Sequence, residues 1–347
     1  MSRSFSIRQK VYAAFCLPIM ALVVAAGVGV SSARSVDQQA QAALESLSRS
    51  EALSVAAMAI ADERLAQFEV EAGVVEGDGA VADAVLATDA AMETAAGLTD
   101  GVTSDRVWNS LGAARSTPVG RSDNFDRAID LLLDRSSESG VGDNSGAAAA
   151  STDRAAEMYR FVDAEDRAWH KFLGRTSDDV RSTAAIVGAF AVSESLHDRL
   201  STWAVQDPSS PVAVALRATE VMEDLRSRAV EDLLNPDQSL VTAPAALASH
   251  ADARERWKSS AVDQTASVRQ ALTGDAQAAE NARNQYALFG LVGVLILSSL
   301  AVAVAQSIGS PIASANSAAK RLLGEQFDSI SADVNVDGEL AVPQLLN

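Results

Sequence analysis

Two long apolar segments without a charged side chain stand apart from an otherwise polar and strongly helical pattern. They cover residues 11–33 and 286–307, which are 23 and 22 residues long. At about 1.5 Å of rise per residue, a helix of either length extends roughly 33 Å, enough for the hydrocarbon core of a bilayer. The pattern predicts two membrane-spanning helices, separated by residues 34–285 and followed by residues 308–347.

The first apolar segment has two interpretations, a retained signal anchor and a signal peptide that is removed after export. The small residues 31–33 offer a cleavage site, but the uncharged run exceeds the roughly 7–15-residue apolar core of signal peptides, which favours the anchor. Arg3, Arg8 and Lys10 precede the segment without any acidic residue, so residues 1–10 are predicted to stay in the cytoplasm. Two spans in the cell membrane then make residues 34–285 extracytoplasmic and return the C-terminus to the cytoplasm.

The region between the spans has helical patterning almost throughout, because alanine is abundant and alternating β-branched runs are absent. Apolar residues recur on one stripe at Leu44, Leu47, Val55, Met58 and Leu65, which predicts one long helix from residue 34 to about 72. The Ser-, Gly- and Ala-rich residues 136–151 predict a flexible loop. The fold is predicted to be all-α, as one elongated bundle or two stacked four-helix bundles. Further helices are expected at 81–96, 105–114, from 123, and at 153–174, 178–205, 212–234 and 245–286.

Charge is distributed unevenly along the chain. The region between the spans holds 41 acidic and 23 basic residues and so carries the whole formal net charge of −18. Such a surface repels nucleic acid, so no nucleic-acid partner is expected, and an anionic ligand would need a local group of arginines. The only cysteine, Cys16, lies in the first span, so the chain cannot form an internal disulfide.

No cofactor, metal or catalytic residue is predicted. Glu194 and His197 have the Glu-x-x-His spacing that di-iron bundles use twice, but the sequence contains this pair only once. Phosphate-binding glycine loops and cysteine nucleophiles are absent from the region between the spans. This segment is therefore predicted not to be an enzyme.

A distinctive motif follows the second span. Pro311 precedes an amphipathic stretch whose apolar positions follow the spacing of a coiled-coil seam. Gly324 then predicts a break, followed by an apolar connector without helix and by Glu339 at the start of a second helix. The seam positions are Ile312, Ala315, Ala319 and Leu322.

This arrangement resembles a HAMP domain, the two-helix relay of bacterial receptors and sensor kinases. The match lies in Pro311, the first amphipathic helix, Gly324 and Glu339, while Gly338 occupies the family's usual Glu position. The resemblance implies a parallel homodimer and a cytoplasmic output partner, such as a histidine kinase, a chemotaxis module or a response regulator. Because the chain ends within the expected second helix, a truncated receptor is favoured over an input-only protein. The alternative is a plain amphipathic helix beside the membrane.

The outer region resembles the nitrate- and nitrite-sensing domains, called NIT domains, which are all-helical and lie between two spans. The resemblance rests on Asp62-Glu63-Arg64 in the first long helix, and it implies a small anion held by Arg64, with Arg199 and Arg256 added by position. The alternative for Arg64 is a solvated flank of the apolar stripe, paired with a nearby acid.

Together these patterns predict a transmembrane receptor that senses a small extracytoplasmic ligand and relays the signal inward. The competing prediction is a membrane-anchored helical interaction or scaffold protein without ligand-dependent signalling.

Overall fold

A computed structural model describes residues 7–73, 79–99, 101–140, 146–175, 180–235, 241 and 243–336, and these contain helices and no strand. The predicted all-α fold is confirmed. The helices are α1 (Ile7–Glu71), α2 (Gly79–Ala96), α3 (Gly101–Ser116), α4 (Arg121–Gly140), α5 (Gly146–Leu173), α6 (Val180–Gln206), α7 (Pro211–Ala218), α8 (Glu220–Leu234) and α9 (Ala243–Val336).

The chain forms two compact units that share its two longest helices. The first unit comprises the described residues of Met1–Ser35 and Ala279–Asn347, and the second comprises those of Val36–Ala278. α1 contains 65 residues and α9 contains 94, and each contributes to both units without a break. The long first helix that the apolar stripe predicts is therefore confirmed. It ends at Glu71, and Gly73 just beyond has a φ of 69°, a left-handed conformation that glycine adopts without strain.

α1 and α9 each contain a segment long and apolar enough to cross a membrane, consistent with a two-pass membrane protein. Only 0% and 11% of their most apolar windows are buried, whereas the core helix of a soluble protein is mostly buried. Leu17 is 76% exposed and Phe289 is 69% exposed, so large apolar side chains cover the outside of the first unit.

Glycine allows α1 and α9 to approach closely within the first unit. A Cβ atom placed on Gly290 would lie 2.6 Å from the Cβ of Ala26, and one on Gly29 would lie 2.7 Å from the ring of Tyr286. Membrane helices commonly use small residues in this way, since apolar side chains gain little from leaving lipid for another apolar surface.

The second unit surrounds three groups of buried apolar side chains. The largest group is contributed by α1 to α7 and α9, the second by α5, α6, α8 and α9, and the third by α1 and α9. Members of the largest group include Leu53, Ile60, Leu111, Phe125, Met158, Leu200 and Trp257. The second group includes Trp169, Phe172, Phe190 and Met222, and the third consists of Leu47, Val268 and Leu272.

The loop predicted over residues 136–151 is wrong at both ends, because α4 continues to Gly140 and α5 begins at Gly146. Ser136 is buried, and its Oγ lies 2.8 Å from the Oγ atoms of Ser50 and Ser54 on α1. These contacts satisfy the hydroxyl inside the protein, so a residue that usually favours turns is stable in a packed helix.

The helix predicted over residues 212–234 is divided at Thr219 into α7 and α8. α7 begins with Ser210 as N-cap and Pro211 in the first turn, residues that commonly occupy these positions. The Thr219 Oγ1 donates to the carbonyl of Ala215 at 2.9 Å and accepts from the indole N–H of Trp257 at 3.2 Å. A hydroxyl that bonds the carbonyl four residues earlier often bends a helix, and the division lies at this residue.

The break predicted at Gly324 is absent, since α9 continues to Val336. A single glycine costs a helix only about 1 kcal/mol relative to alanine, which weakens a long helix without ending it. The non-helical connector expected after Gly324 is therefore helical as far as Val336. Glu339 lies outside the described residues.

Candidate functional site

Three consecutive charged residues of α1 pair with three different sets of neighbours. Successive side chains point about 100° apart around a helix, so Asp62, Glu63 and Arg64 face different directions. Asp62 pairs with Arg254 of α9, Glu63 forms a two-bonded pair with Arg115 of α3 at 2.7 and 2.8 Å, and Arg64 faces α4 and α5. At this level α1 is therefore contacted by several other helices, and Glu63 and Arg64 are buried while the Asp62 side chain is 40% exposed.

Arg64 is only 4% exposed and is held among three aspartates. Its Nη1 donates to Asp126 of α4, and its Nη2 lies 3.0 Å from Asp163 and 3.7 Å from Asp166 of α5. The i, i+3 spacing of the two α5 aspartates places both on one helix face. The solvated flank considered for Arg64 is therefore wrong, although the pairing with acids is confirmed.

Asp166 lies at the centre of these contacts and is fully buried. The Arg254 Nε donates to both its carboxylate oxygens at 3.0 and 3.1 Å, and its Oδ1 lies 2.8 Å from the His250 Nε2. Burial alone would raise the pKa of Asp166, but Arg254 and the hydrogen-bonded His250 outweigh it and hold that pKa well below its ordinary value.

The pKa of Asp163 is shifted in the opposite direction to that of Asp166. Burial raises the pKa of its carboxyl group above the ordinary value, because the attraction of Arg64 and Arg167 offsets that effect only in part. We call this group of side chains the ionic cluster. It comprises Asp62, Arg64, Asp126, Asp163, Asp166, Arg167, His250, Arg254 and Lys258.

A cavity of about 250 Å³ opens beside Arg64, between α1, α4 and α5. Gly120, with a φ of 70°, turns the chain immediately before α4, so the first turn of that 20-residue helix borders the cavity. First-turn N–H groups lack helical partners and attract anions. We call this space the Arg64 cavity; its lining is Arg64, Gln67, Phe68, Glu71, Pro118, Gly120, Arg121, Ser122, Asp123, Phe125 and His170.

Three buried side-chain nitrogens of residues lining this cavity have no hydrogen-bond partner within the described residues: the Arg64 Nε, the Arg64 Nη2, which is ion-paired with Asp163, and the His170 Nε2. Buried polar atoms are usually paired, so unpaired ones beside a cavity are candidate contacts for a ligand. Burial, assisted by the positive charge of Arg64, lowers the pKa of His170 to about 3. This imidazole is therefore neutral at pH 7, and its ring packs 4.6 Å from that of Phe68.

The other two predicted anion ligands do not join Arg64. Arg199 is exposed on α6 and pairs with Glu157 at 2.6 Å, and Arg256 is exposed on α9 and pairs with Asp252 one turn earlier at 2.8 Å. Neither lines the Arg64 cavity or shares an acidic partner with Arg64.

Sequence reasoning missed Arg254, which is 7% exposed and belongs to the ionic cluster. A signal for it was present, because Arg254 precedes the buried Trp257 by three residues and Ala261 by seven. These spacings return to one helix face, whereas Arg256 lies two residues away and points to the other side.

A second buried arginine was also missed. Arg226 of α8 is 4% exposed, and its guanidinium lies 3.0 Å from Glu165 of α5 and 2.8 Å from Glu194 of α6. Glu165 also accepts from the indole N–H of Trp169 at 3.1 Å. These contacts join three helices beside the second apolar group.

The predicted dimer seam lies on the C-terminal part of α9. Pro311, Ala315, Ala319 and Leu322 are exposed in the single chain, with Leu322 at 64%. Ile312 lies in α9, but its side chain is outside the described set.

Two other cavities border the second unit's helices. A groove of about 310 Å³ lies between α4, α5 and α6, where Arg167 and Lys171 face the aliphatic Val192 and Leu196. A space of about 20 Å³, the size of one water molecule, lies beside Arg226 and Arg254. Among the residues that the structure describes, no three His, Cys, Asp or Glu side chains are grouped to hold a metal ion.

Comparison with family models, with curated proteins and with solved structures finds no match for this chain. The resemblances to HAMP and NIT domains therefore stay predictions drawn from the residues.

Proposed function

We propose that this chain is the input region of a two-pass membrane receptor that senses a small extracytoplasmic ligand. The observation that carries the proposal is that α1 and α9 each combine a membrane-length apolar segment with residues of the buried ionic cluster. A shift of α1 or α9 within the second unit would therefore move a helix that also contains a candidate membrane span. The helices of this unit are proposed to pack as two bundles, supported by its two large apolar groups.

The Arg64 cavity is the proposed ligand site, and the ligand is a small molecule with an anionic group, for which nitrate and nitrite are the candidates from the NIT resemblance. Three features support an anion there: the unpaired Arg64 Nε, the first turn of α4 and the neutral His170. An anion at Arg64 would compete with Asp126 and Asp163 for the same guanidinium. Because these aspartates belong to α4 and α5, the competition would move those helices relative to α1.

The signal is proposed to pass along α9 to a parallel homodimer seam formed by Ala315, Ala319 and Leu322, and from there to a cytoplasmic output domain. Exposure of this apolar stripe in the single chain supports the seam. A coiled-coil contact would bury it, and a heptad seam can adopt more than one packing.

Cysteine crosslinking in membranes tests the seam. On a Cys16→Ser background, Ala315→Cys and Ala319→Cys should each crosslink between subunits, because seam positions face each other across a parallel dimer. Ser317→Cys is the matched control, since it lies about half a turn away from both positions on the same helix. Equal crosslinking at all three positions would contradict the seam.

Ligand response is measured in the same experiment. Nitrate or nitrite added to the extracytoplasmic side should change the crosslinking rate at Ala315→Cys. A ligand-independent rate for every compound tested would favour the membrane-anchored scaffold over the receptor.

A further inference from the structure

The Arg64 cavity offers groups of both charges to a single small molecule. We infer that it takes a zwitterion, an α-amino acid with an uncharged side chain of moderate size. This inference rests on the proposed receptor function and narrows the ligand of the same site. Its basis is the arrangement of Arg64, the first turn of α4, Asp123 and two aromatic walls around one space.

The carboxylate end has donors from two helices. Arg64 is 4% exposed and retains an unpaired Nε, so this N–H is available for a hydrogen bond. Ser122 and Asp123 lie in the first turn of α4, where backbone N–H groups lack helical acceptors. A planar carboxylate accepts from donors on two sides, as nitrate would, so this end alone does not separate the two ligands.

The surroundings of the ammonium group distinguish an amino acid from nitrate. Asp123 lines the cavity, is exposed and carries no ion pair to any described residue, whereas Glu71 is engaged by Arg121. An unpaired carboxylate bordering an anion site repels a bare anion by Coulomb's law. A zwitterion removes that repulsion, because its ammonium pairs with Asp123 while its carboxylate lies toward Arg64.

The charges around the Arg64 cavity also favour a zwitterion. The positive charge of Arg64 is already offset by Asp126, Asp163 and Asp166. His170 is neutral at pH 7 and adds no positive charge. An inorganic anion therefore finds hydrogen-bond donors without net positive charge, which suits a ligand that is neutral overall.

The size of the cavity favours more than a four-atom anion. Its volume of about 250 Å³ corresponds to roughly eight water-sized groups at about 30 Å³ each. Valine, leucine and methionine have about this many non-hydrogen atoms. Phe68, Pro118 and Phe125 supply an apolar wall for such a side chain.

Calorimetric titration of the full chain in lipid nanodiscs tests the inference. The probes are L-valine, L-leucine, L-methionine, nitrate and two analogues of leucine that each lack one charged group. 3-Methylbutylamine lacks the carboxylate, and 4-methylpentanoate lacks the ammonium group. At least one amino acid should bind at least about tenfold more tightly than nitrate. Leucine should bind about tenfold more tightly than either analogue, because each charged contact contributes separately.

Asp123→Asn separates the two ends of the ligand. It should weaken amino-acid binding about tenfold and leave 4-methylpentanoate unchanged or tighter. Asp105→Asn is the matched control, since Asp105 is an exposed acid of α3 that does not line the cavity, and it should change neither affinity. Far-UV circular dichroism checks that both variants keep their helices.

Two results would overturn the inference. If nitrate or 4-methylpentanoate binds as tightly as the best amino acid, the zwitterion is wrong and the anion receptor of the proposed function stands. If no probe binds, the cavity is not the ligand site for either class. Crosslinking at Ala315→Cys tests the receptor architecture separately from both outcomes.

Discussion

Replacing Arg64 by methionine should destabilise the second unit strongly, because it leaves buried carboxylates without their shared cation. Asp163 is 4% exposed and Asp166 is fully buried. Removing one partner of a buried ion pair costs about 3–5 kcal/mol. Asp166 keeps Arg254 at 3.0 Å and Asp163 keeps Arg167 at 2.6 Å, so we expect the lower end, about 3 kcal/mol.

Two further variants make this expectation specific. Arg256→Met removes an exposed pair within one helix and should cost less than about 0.5 kcal/mol. Adding Asp163→Asn to Arg64→Met should restore about 1–2 kcal/mol, because an amide at that position carries no charge to compensate.

Urea unfolding of the full chain in nanodiscs, followed by tryptophan fluorescence, measures these differences. Trp169 and Trp257 are 1% and 2% exposed and lie in the two large apolar groups, so their emission reports loss of the second unit. If Arg64→Met costs no more than Arg256→Met, the ionic cluster does not stabilise the fold and the reasoning is refuted.

Two further predictions concern the membrane helices and pH. Gly290→Leu should cost about 1–3 kcal/mol in SDS titration followed by circular dichroism, because a side chain there meets Ala26. Gly27→Leu, with nothing within 4 Å, should cost little, and equal losses would contradict close packing at Gly290. The pKa of His170 is lowered from 6.5 to about 3, chiefly by burial, so its neutral form stabilises the protein above pH 6.5 and that contribution is lost as pH falls toward 3. The unfolding free energy should therefore fall by about 1.4 kcal/mol per pH unit between roughly pH 6 and 4 from this group, and an unchanged pH slope in His170→Gln would show that the group does not titrate this way.

The long helices and the two apolar segments were predictable because they depend on local periodicity. In the predicted stripe, Leu47 and Met58 are buried at 2% and 3% exposure, whereas Val55 is 45% exposed. Spans of 22 or 23 uncharged residues need no knowledge of neighbouring helices to be recognised. Such signals are contained within one stretch of sequence, so they can be recognised without knowledge of tertiary contacts.

The exceptions are residues whose local preference is overridden by a partner distant in sequence. Ser136 favours a turn by itself, but Ser50 and Ser54 satisfy its hydroxyl from a helix more than 80 residues away. Thr219 gave no strong break signal, yet its contact with Trp257 accompanies a division between two helices. Neither partnership follows from periodicity.

The candidate site was predictable from the sequence only in part. Arg64 was identified from its motif, but its acidic partners come from two helices, and no local pattern places those helices beside it. Arg254 and Arg256 lie on different faces of α9. A displacement of two residues rotates a side chain by about 200°, which separates a buried member of the ionic cluster from an exposed surface arginine.

The charges of α1, of which Glu63 and Arg64 are buried, argue for a role beyond stability. Well-packed apolar residues often stabilise a core as much as a buried ion pair does, so stability alone does not require charges at Glu63 and Arg64. What these charges add is a choice of partners, since Arg64 has three carboxylates within 4.0 Å and Asp62 has two cations. A helix whose charges can exchange partners among its neighbours has discrete alternative positions, which apolar packing alone does not provide. Because α1 also contains a candidate membrane span, such alternative positions are what the proposed receptor would use to transmit a signal.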